Sequence, residues 1–373
     1  MPNTVEATPE DLRHLERART LARRGWGQVH PNPLVGCVLV TRGEVVGEGF
    51  HQAFGGPHAE VVALTAAGPR AEGATAYVSL EPCDHHGKTP PCSRTLVEAG
   101  VARVVYGAAD PSADAEGGAA TLQDAGVTVV GPVWGPAEAR AENPAFHHVA
   151  RHGTPFVALK LATSLDGRIA ARPGAPTRLT GREAERSVHR LRAGFDAILV
   201  GGGTARSDDP RLTVRHGPDP VRPPARLVLD SRARLPSDAA LFADTTASAP
   251  VHVFTARDAD EGELERLEAA GAGVHPVEAG PSGLDLGAVL GDVWDLGLRS
   301  VLCEGGGRLA GALLAEERVQ RLYLYLAPRT LGEDGVPAFG HAADALDWTA
   351  FRPVGGPDVH GRDVRVVYDR TEA

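Results

Sequence analysis

Aromatic residues make up only 5% of this 373-residue chain, and methionine occurs once. Basic residues are outnumbered too, 38 against 48 acidic, for a formal charge of −10. Nucleic-acid surfaces are basic, and single strands are held on aromatic platforms, so this composition argues against a protein built to grip nucleic acid. No run of about eighteen uninterrupted apolar residues occurs, and no membrane span is expected. The N-terminal stretch has no apolar signal core, because Arg13, Arg17, Arg19, Arg23 and Arg24 are interleaved with acids and small residues. Four cysteines are too few for a disulfide framework at this length. A reducing cytoplasm is the expected setting, where cysteine serves a metal, a nucleophilic role or the core. Lysine is nearly absent: Lys88 and Lys160 are the only two.

What is present is an ordinary globular balance, 42% apolar and 23% charged, in a chain long enough for two domains. Thr8-Pro9-Glu10-Asp11 opens a helix with a hydroxyl at the cap, proline in the first turn and an acid at the third position. Two apolar runs, 35–40 and 45–50, flank Arg42-Gly43 and predict a hairpin. Beyond it, helical patterns at 58–67, 92–99 and 119–125 alternate with strand patterns at 74–80, 101–106 and 127–130. Such alternation predicts a largely parallel sheet covered on both faces, with the hairpin as an antiparallel edge. Periodicity lapses around residues 142–155, and Gly153-Thr154-Pro155 marks a boundary. A second α/β series follows: strands at 156–163, 197–200, 226–229, 251–255, 300–304, 321–326 and 363–368, and helices at 182–193, 261–270 and 308–316. The Pro- and Gly-rich stretches near 173–176 and 217–224 read as surface loops.

The sharpest motif is His58-Ala59-Glu60 at a helix start, followed by Glu81-Pro82-Cys83 and then Cys92. Zinc takes imidazole and thiolate ligands in a tetrahedron, and a catalytic site keeps one position for water. His58, Cys83 and Cys92 supply three ligands and leave that position open. His85 or His86 as a fourth would close it and make the zinc structural. Glu60 is too near His58 in sequence for a same-face helical pair, but in the first turn it can reach the activated water and pass its proton to a leaving amine.

The order H-A-E … P-C … C resembles the zinc-dependent nucleobase deaminases, although eight residues, Asp84–Pro91, separate the cysteines in place of the usual two. The longer runs narrow the resemblance. Pro31-Asn32-Pro33-Leu34-Val35-Gly36-Cys37, Gly55-Gly56-Pro57-His58-Ala59-Glu60 and the whole segment from Glu81 to Cys92 are similar to the bifunctional riboflavin-biosynthesis deaminase-reductases. The resemblance implies a cytidine-deaminase-like αβα sandwich over residues 1–150 and a dihydrofolate-reductase-like α/β domain over 151–373. It also implies zinc-dependent deamination of a 2,5-diamino-6-ribosylamino-pyrimidinone 5′-phosphate, then NADPH-dependent reduction of its ribosyl group to ribityl. By position, Glu60 is the implied proton shuttle, with His58, Cys83 and Cys92 on zinc and Asn32, His51, Lys88 and Asp110 on substrate. The chain departs from the family at Asp110-Pro111-Ser112-Ala113, where an asparagine and a second proline are usual.

The second half carries Lys160-Leu161-Ala162-Thr163-Ser164-Leu165-Asp166-Gly167-Arg168, the run from Val200 to Arg215, and Cys303-Glu304-Gly305-Gly306-Gly307-Arg308. A glycine triplet between strand and helix either cradles a pyrophosphate or is a plain turn, and it is not the usual dinucleotide fingerprint. Lys160 interrupts an apolar strand, so it is either buried and paired or outward on an edge. These runs resemble the reductase domain of the same family. That implies Ala162, Thr204, Asp208, Ser231, Gly306, Gly307 and Arg308 on NADPH, and Lys160, Arg192, Leu212, Arg215 and Glu304 on the substrate. Here the departure is Pro176-Thr177-Arg178, where a serine and a tryptophan are usual; Arg178 would then meet the coenzyme's 2′-phosphate or stack. The expected partner is a phosphorylated pyrimidine, with no nucleic acid or membrane, in a homo-oligomer. The competing readings are an active deaminase with a weakened or inactive reductase, a nucleic-acid base deaminase, and a non-catalytic zinc-stabilised binding module.

Overall fold

The computed structural model describes residues 6–85, 90–112, 117–217, 219–243, 245–246, 249–281, 283–340 and 347–371. The chain divides into two compact units, Met1–Gly153 and Thr154–Ala373. Among the described residues no helix is long and apolar enough to cross a membrane.

In the first unit the helix Pro9–Ala22 starts in a reciprocal cap: the Asp11 N–H donates to Thr8 Oγ1 and the Thr8 N–H donates to the Asp11 carboxylate. Five strands then form one sheet in the order Glu44–Phe50, Gly36–Thr41, Thr75–Leu80, Arg103–Ala108, Thr128–Val130. The first two are the expected hairpin, with Arg42 and Gly43 both left-handed at φ 53° and 80°, which suits a two-residue turn. The last three run parallel. Side chains alternate across the sheet: Cys37 and Leu39 join the core under the helix Ala59–Ala67, whereas Val38 and Val40 join the core under the first helix. Helices therefore cover both faces, an αβα sandwich.

Where periodicity lapses in the sequence, the structure instead has a helix, Pro144–His152, with proline in its first turn and the left-handed Gly153 after its end. Its inner face is short and mixed, with His147 buried and Phe146 packed partly buried against the core under the first helix, so little apolar pattern registers in the sequence.

The second unit holds a ten-stranded sheet. Its main path runs Ala272–Val277, Val251–Ala256, Ala225–Leu229, Ala197–Gly201, Ser300–Cys303, Phe156–Ser164, Arg321–Ala327, Asp363–Arg370, Phe351–Pro353. The first seven are parallel, and Asp363–Arg370 pairs antiparallel to Arg321–Ala327. Alternation again splits the core: Val157, Leu159 and Leu199 face one layer, Ile198 and Val200 the other. Among the elements with no counterpart in the sequence reading are the helices Gly202–Asp208 and Leu286–Asp295 and the strands Ala272–Val277 and Phe351–Pro353. Gly202, Gly203, Gly287 and Gly291 lower helix propensity, and Pro276 is tolerated because its strand lies at the sheet edge.

Candidate active sites

In the first unit, the helix Ala59–Ala67 lies so close to the strand Glu44–Phe50 that a Cβ on Gly49 would come within 2.3 Å of the Ala59 carbonyl oxygen. That approach seats the helix start, with His58 as its cap residue and Glu60 in its first turn. Cys83 follows the strand Thr75–Leu80, and Cys92 opens the helix Cys92–Glu98. The fold brings His58 Nδ1 to 3.3 Å from Cys92 Sγ and 3.5 Å from Cys83 Sγ, with all three donor atoms within 4.8 Å of one another. Bonds of about 2.0–2.3 Å at tetrahedral angles place zinc ligands about 3.3–3.8 Å apart, so this donor set fits zinc. His85 is exposed and is not part of the cluster; His86 lies outside the described residues.

Cys83 is held below the ordinary thiol range, first by the thiol of Cys92, against burial, and further by His58. Cys92 is correspondingly pushed up by the same contact and by burial. Glu60 is only 3% exposed. Burial, with the Cys83 charge, pushes its carboxyl up to about 7.

Beside the cluster, His51 is buried, and its ring stands 5.5 Å from that of His58 in an edge-on arrangement. His51 Nδ1 lies 3.0 Å from the Pro57 carbonyl oxygen and its Nε2 lies 3.1 Å from Asn32 Nδ2. A carbonyl only accepts, so Nδ1 carries the proton and Nε2 accepts from the Asn32 amide. Burial lowers the pKa of His51, which suits that neutral form. Asp110 accepts from both the backbone N–H (2.9 Å) and hydroxyl (2.6 Å) of Ser112, and burial pushes its pKa up. Ser112, at the departure from the family pattern, is thus tied to Asp110. Lys88 lies outside the described residues.

Two acids in the motif have partners that only the fold reveals. Asp84 accepts from Ser93 Oγ at 2.5 Å and Thr121 Oγ1 at 2.8 Å, pinning the segment after Cys83 to two helices. Glu81 accepts from the Ala119 N–H at 3.1 Å and the Asp110 N–H at 3.5 Å.

The second unit holds a cavity of about 710 Å³ at the C-terminal ends of its central parallel strands. Ala162, Thr204, Asp208, Ser231, Gly306, Gly307 and Arg308 all line it, as do Lys160 and Glu304. The Gly306 N–H donates to Thr204 Oγ1 at 3.1 Å, joining the two glycine runs. Lys160 is largely buried and paired, with Nζ 3.8 Å from Glu304 Oε2. Burial lowers its pKa, and Arg192 adds to the effect while Glu304 opposes it. Arg192 donates to both oxygens of Glu304 and, at 3.0 Å, to the Thr213 carbonyl. Arg215 reaches Thr213 Oγ1 at 3.1 Å. Burial would raise the Glu304 carboxyl, but Arg192 and Lys160 outweigh it and hold it down at about 2.

Arg192, Leu212 and Arg215 are not among the residues lining the cavity itself. Leu212 has φ 53°, unusual for a branched side chain, and that side chain is packed in the core beside Ile198 and Val200. Arg178 is likewise not among the residues lining the cavity: it is two-thirds exposed and pairs with Glu185 at 2.7 Å. The cavity wall has instead Arg206, paired with Asp230, which no sequence pattern singled out.

Glu185, His189 and His216 form a second gathering of donor atoms. However, His189 Nδ1 accepts from the Arg215 N–H at 3.2 Å, which commits the ring's lone pair to holding that loop. Burial, with Arg192 and Arg215, lowers His189 to about 4 and keeps it neutral for this bond.

Residues 155–353 match the family model of the RibD C-terminal domain, and residues 8–108 match that of the cytidine and deoxycytidylate deaminase zinc-binding region. The chain is 40% identical to the riboflavin biosynthesis protein RibD of Escherichia coli K12, over 94% of this chain and 98% of that protein. It is 38% identical to that of Bacillus amyloliquefaciens, over 87% and 86%. Among solved structures, Acinetobacter baumannii RibD superposes with a TM-score of 0.81 at 34% identity, covering 97% of this chain and 99% of that one. A diaminohydroxyphosphoribosylaminopyrimidine deaminase/5-amino-6-(5-phosphoribosylamino)uracil reductase from Thermotoga maritima gives 0.80 at 31%, with the same coverage. With both halves matched and the full length covered, this chain belongs to the RibD family of riboflavin-biosynthesis proteins, which join a deaminase to a reductase.

Proposed function

We propose that the chain carries out two successive steps on one phosphorylated pyrimidine: hydrolytic removal of a ring amine in the first unit and reduction of the ribosyl group to ribityl in the second. The first step rests on the His58, Cys83 and Cys92 cluster with the buried Glu60 beside it. Those three side chains would hold zinc, whose Lewis acidity would bring the pKa of a bound solvent molecule toward neutrality. Glu60 takes the proton and delivers it to the departing amine. Asn32, its amide oriented by His51, reads the pyrimidine edge, and Asp110 and Lys88 complete the substrate contacts.

For the second step bound NADPH would supply the two electrons. Ala162, Thr204, Asp208, Ser231 and the Gly306–Arg308 segment bind it along the cavity wall. Glu304 and Lys160 orient the sugar at the cavity, while Arg192 and Arg215, tied together through Thr213, hold the phosphate end. The reading as a deaminase with an inactive second half is not favoured, because Lys160 and Glu304 sit together on the cavity despite the Pro176–Arg178 departure. Zinc-ligating thiols call for a reducing compartment, and the four cysteines are free. The expected assembly is a homo-oligomer, which sedimentation of the full chain checks. The paired assay tests the whole reading: ammonia release from the diaminopyrimidine, then loss of nicotinamide absorbance when the deaminated product and NADPH are supplied. No ammonia sinks the first half, and no NADPH consumption sinks the second.

A further inference from the structure

Asp230 follows directly on the strand Ala225–Leu229, which lies parallel beside Ala197–Gly201. The latter strand runs straight into the strand-to-helix turn Gly201-Gly202-Gly203, which opens the helix Gly202–Asp208. In open parallel sheets a dinucleotide lies across the strand C-termini. In dinucleotide-binding sheets an acid beside the glycine turn takes the 2′-hydroxyl of NAD, or a nearby arginine accommodates the 2′-phosphate of NADP. Here both side chains are present and joined. Asp230 is 5% exposed and lines the cavity; its Oδ1 accepts from Arg206 Nη1 at 2.9 Å. Its other oxygen, Oδ2, is buried and has no hydrogen-bond partner among the described residues. A Cβ on Gly202 would fall 2.7 Å from Asp230 Oδ1, so the ion pair is packed directly against the turn.

A buried carboxylate oxygen with an empty acceptor site calls for a donor. A phosphate placed on Oδ2 would set two anions together, so the donor is a hydroxyl. Arg206 lines the same cavity, its side chain is 38% exposed, and its bond to Asp230 engages one of its five N–H donors. From these observations we infer that the Arg206–Asp230 pair is the coenzyme-discriminating element of this chain. Asp230 Oδ2 accepts from the free 3′-hydroxyl of the adenosine ribose, and Arg206, held in place by Oδ1, meets the 2′-phosphate. This rests on the reading that the cavity takes NADPH, and it gives the phosphate contact to Arg206 in place of Arg178.

The test is calorimetric titration of the full chain with 2′,5′-ADP and with 5′-ADP, which needs no turnover. Wild type should bind 2′,5′-ADP roughly ten- to a hundredfold more tightly, the value of a charge-assisted hydrogen bond. Arg206→Ala should collapse that preference while leaving 5′-ADP affinity in place, and Arg206→Lys should restore part of it. Asp230→Ala should weaken both nucleotides, since both carry the 3′-hydroxyl. Because Asp230 is buried, Asp230→Asn serves as a second variant, and thermal melts check that each one folds. An Arg206→Ala protein that keeps the wild-type preference overturns the proposal for Arg206. Undiminished binding of both nucleotides by the Asp230 variants overturns it for Asp230. Wild type binding neither nucleotide overturns the coenzyme reading itself, and the pair falls with it.

Discussion

Arg192 and Glu304 meet as a two-pronged ion pair, Nε to Oε1 at 2.6 Å and Nη2 to Oε2 at 3.0 Å, with both side chains nearly buried. Lys160 Nζ stands 3.8 Å from the same carboxylate, so one anion holds two buried cations. Removing it by Glu304→Ala leaves both uncompensated, and the expected loss is about 3–5 kcal/mol in the unfolding free energy of the second unit. Denaturant titration of the full chain checks this. Ammonia release by the first unit, which has its own core, should persist in the same preparation. Full stability in the variant would mean that the cations are solvated.

The same carboxylate sets an acid limit. Its pKa is held at about 2, below the ordinary 4.5, so in acid the unfolded chain binds the extra proton. Its contribution is therefore complete above about pH 4.5 and is lost as the pH falls toward 2. Asp11 behaves alike in the first unit. Burial opposes ionisation, but Arg103, Thr8 and Tyr77 outweigh it and hold the carboxyl below the usual carboxylate range. Arg103 donates to both Asp11 oxygens at 2.6 and 2.9 Å. Asp11→Ala should cost about 3 kcal/mol at neutral pH. It should also flatten the acid limb of that unit's melting profile; an unchanged limb would mean Asp11 titrates normally.

Glu60→Gln keeps the shape of the side chain but cannot carry the proton. Deamination should fall by about 10² to 10⁴-fold. Zinc content by atomic absorption should stay at the wild-type level, and NADPH consumption with pre-deaminated substrate should be unaffected. Loss of metal along with activity would instead make Glu60 a ligand.

Cys92→Ser, or dialysis against a strong chelator, should remove zinc and abolish ammonia release. Re-adding zinc should restore activity to the dialysed wild type and not to the variant. Full deamination by metal-free protein would refute the zinc assignment.

The deaminase donors were readable in sequence because they lie in two short runs, each at the start of a helix or just beyond a strand. The residue types alone limit the chemistry. The alternating strands and helices were readable for a similar reason: a sheet covered on both faces imposes apolar runs that survive any detail of packing. Pattern could not reach Pro144–His152, whose inner face mixes a buried histidine with Phe146, or Ala272–Val277, whose proline is tolerated only at an edge. Nor could it tell that Arg178 turns to Glu185, that Leu212 is spent on the core, or that Asp230 keeps one buried oxygen free. The sequence by itself determined which atoms are available as ligands, acids and cations, because those properties belong to the side chains. Which of them face one another was decided only by the tertiary structure, because pairing and desolvation depend on chain segments far apart in sequence, as Arg192 and Glu304 are.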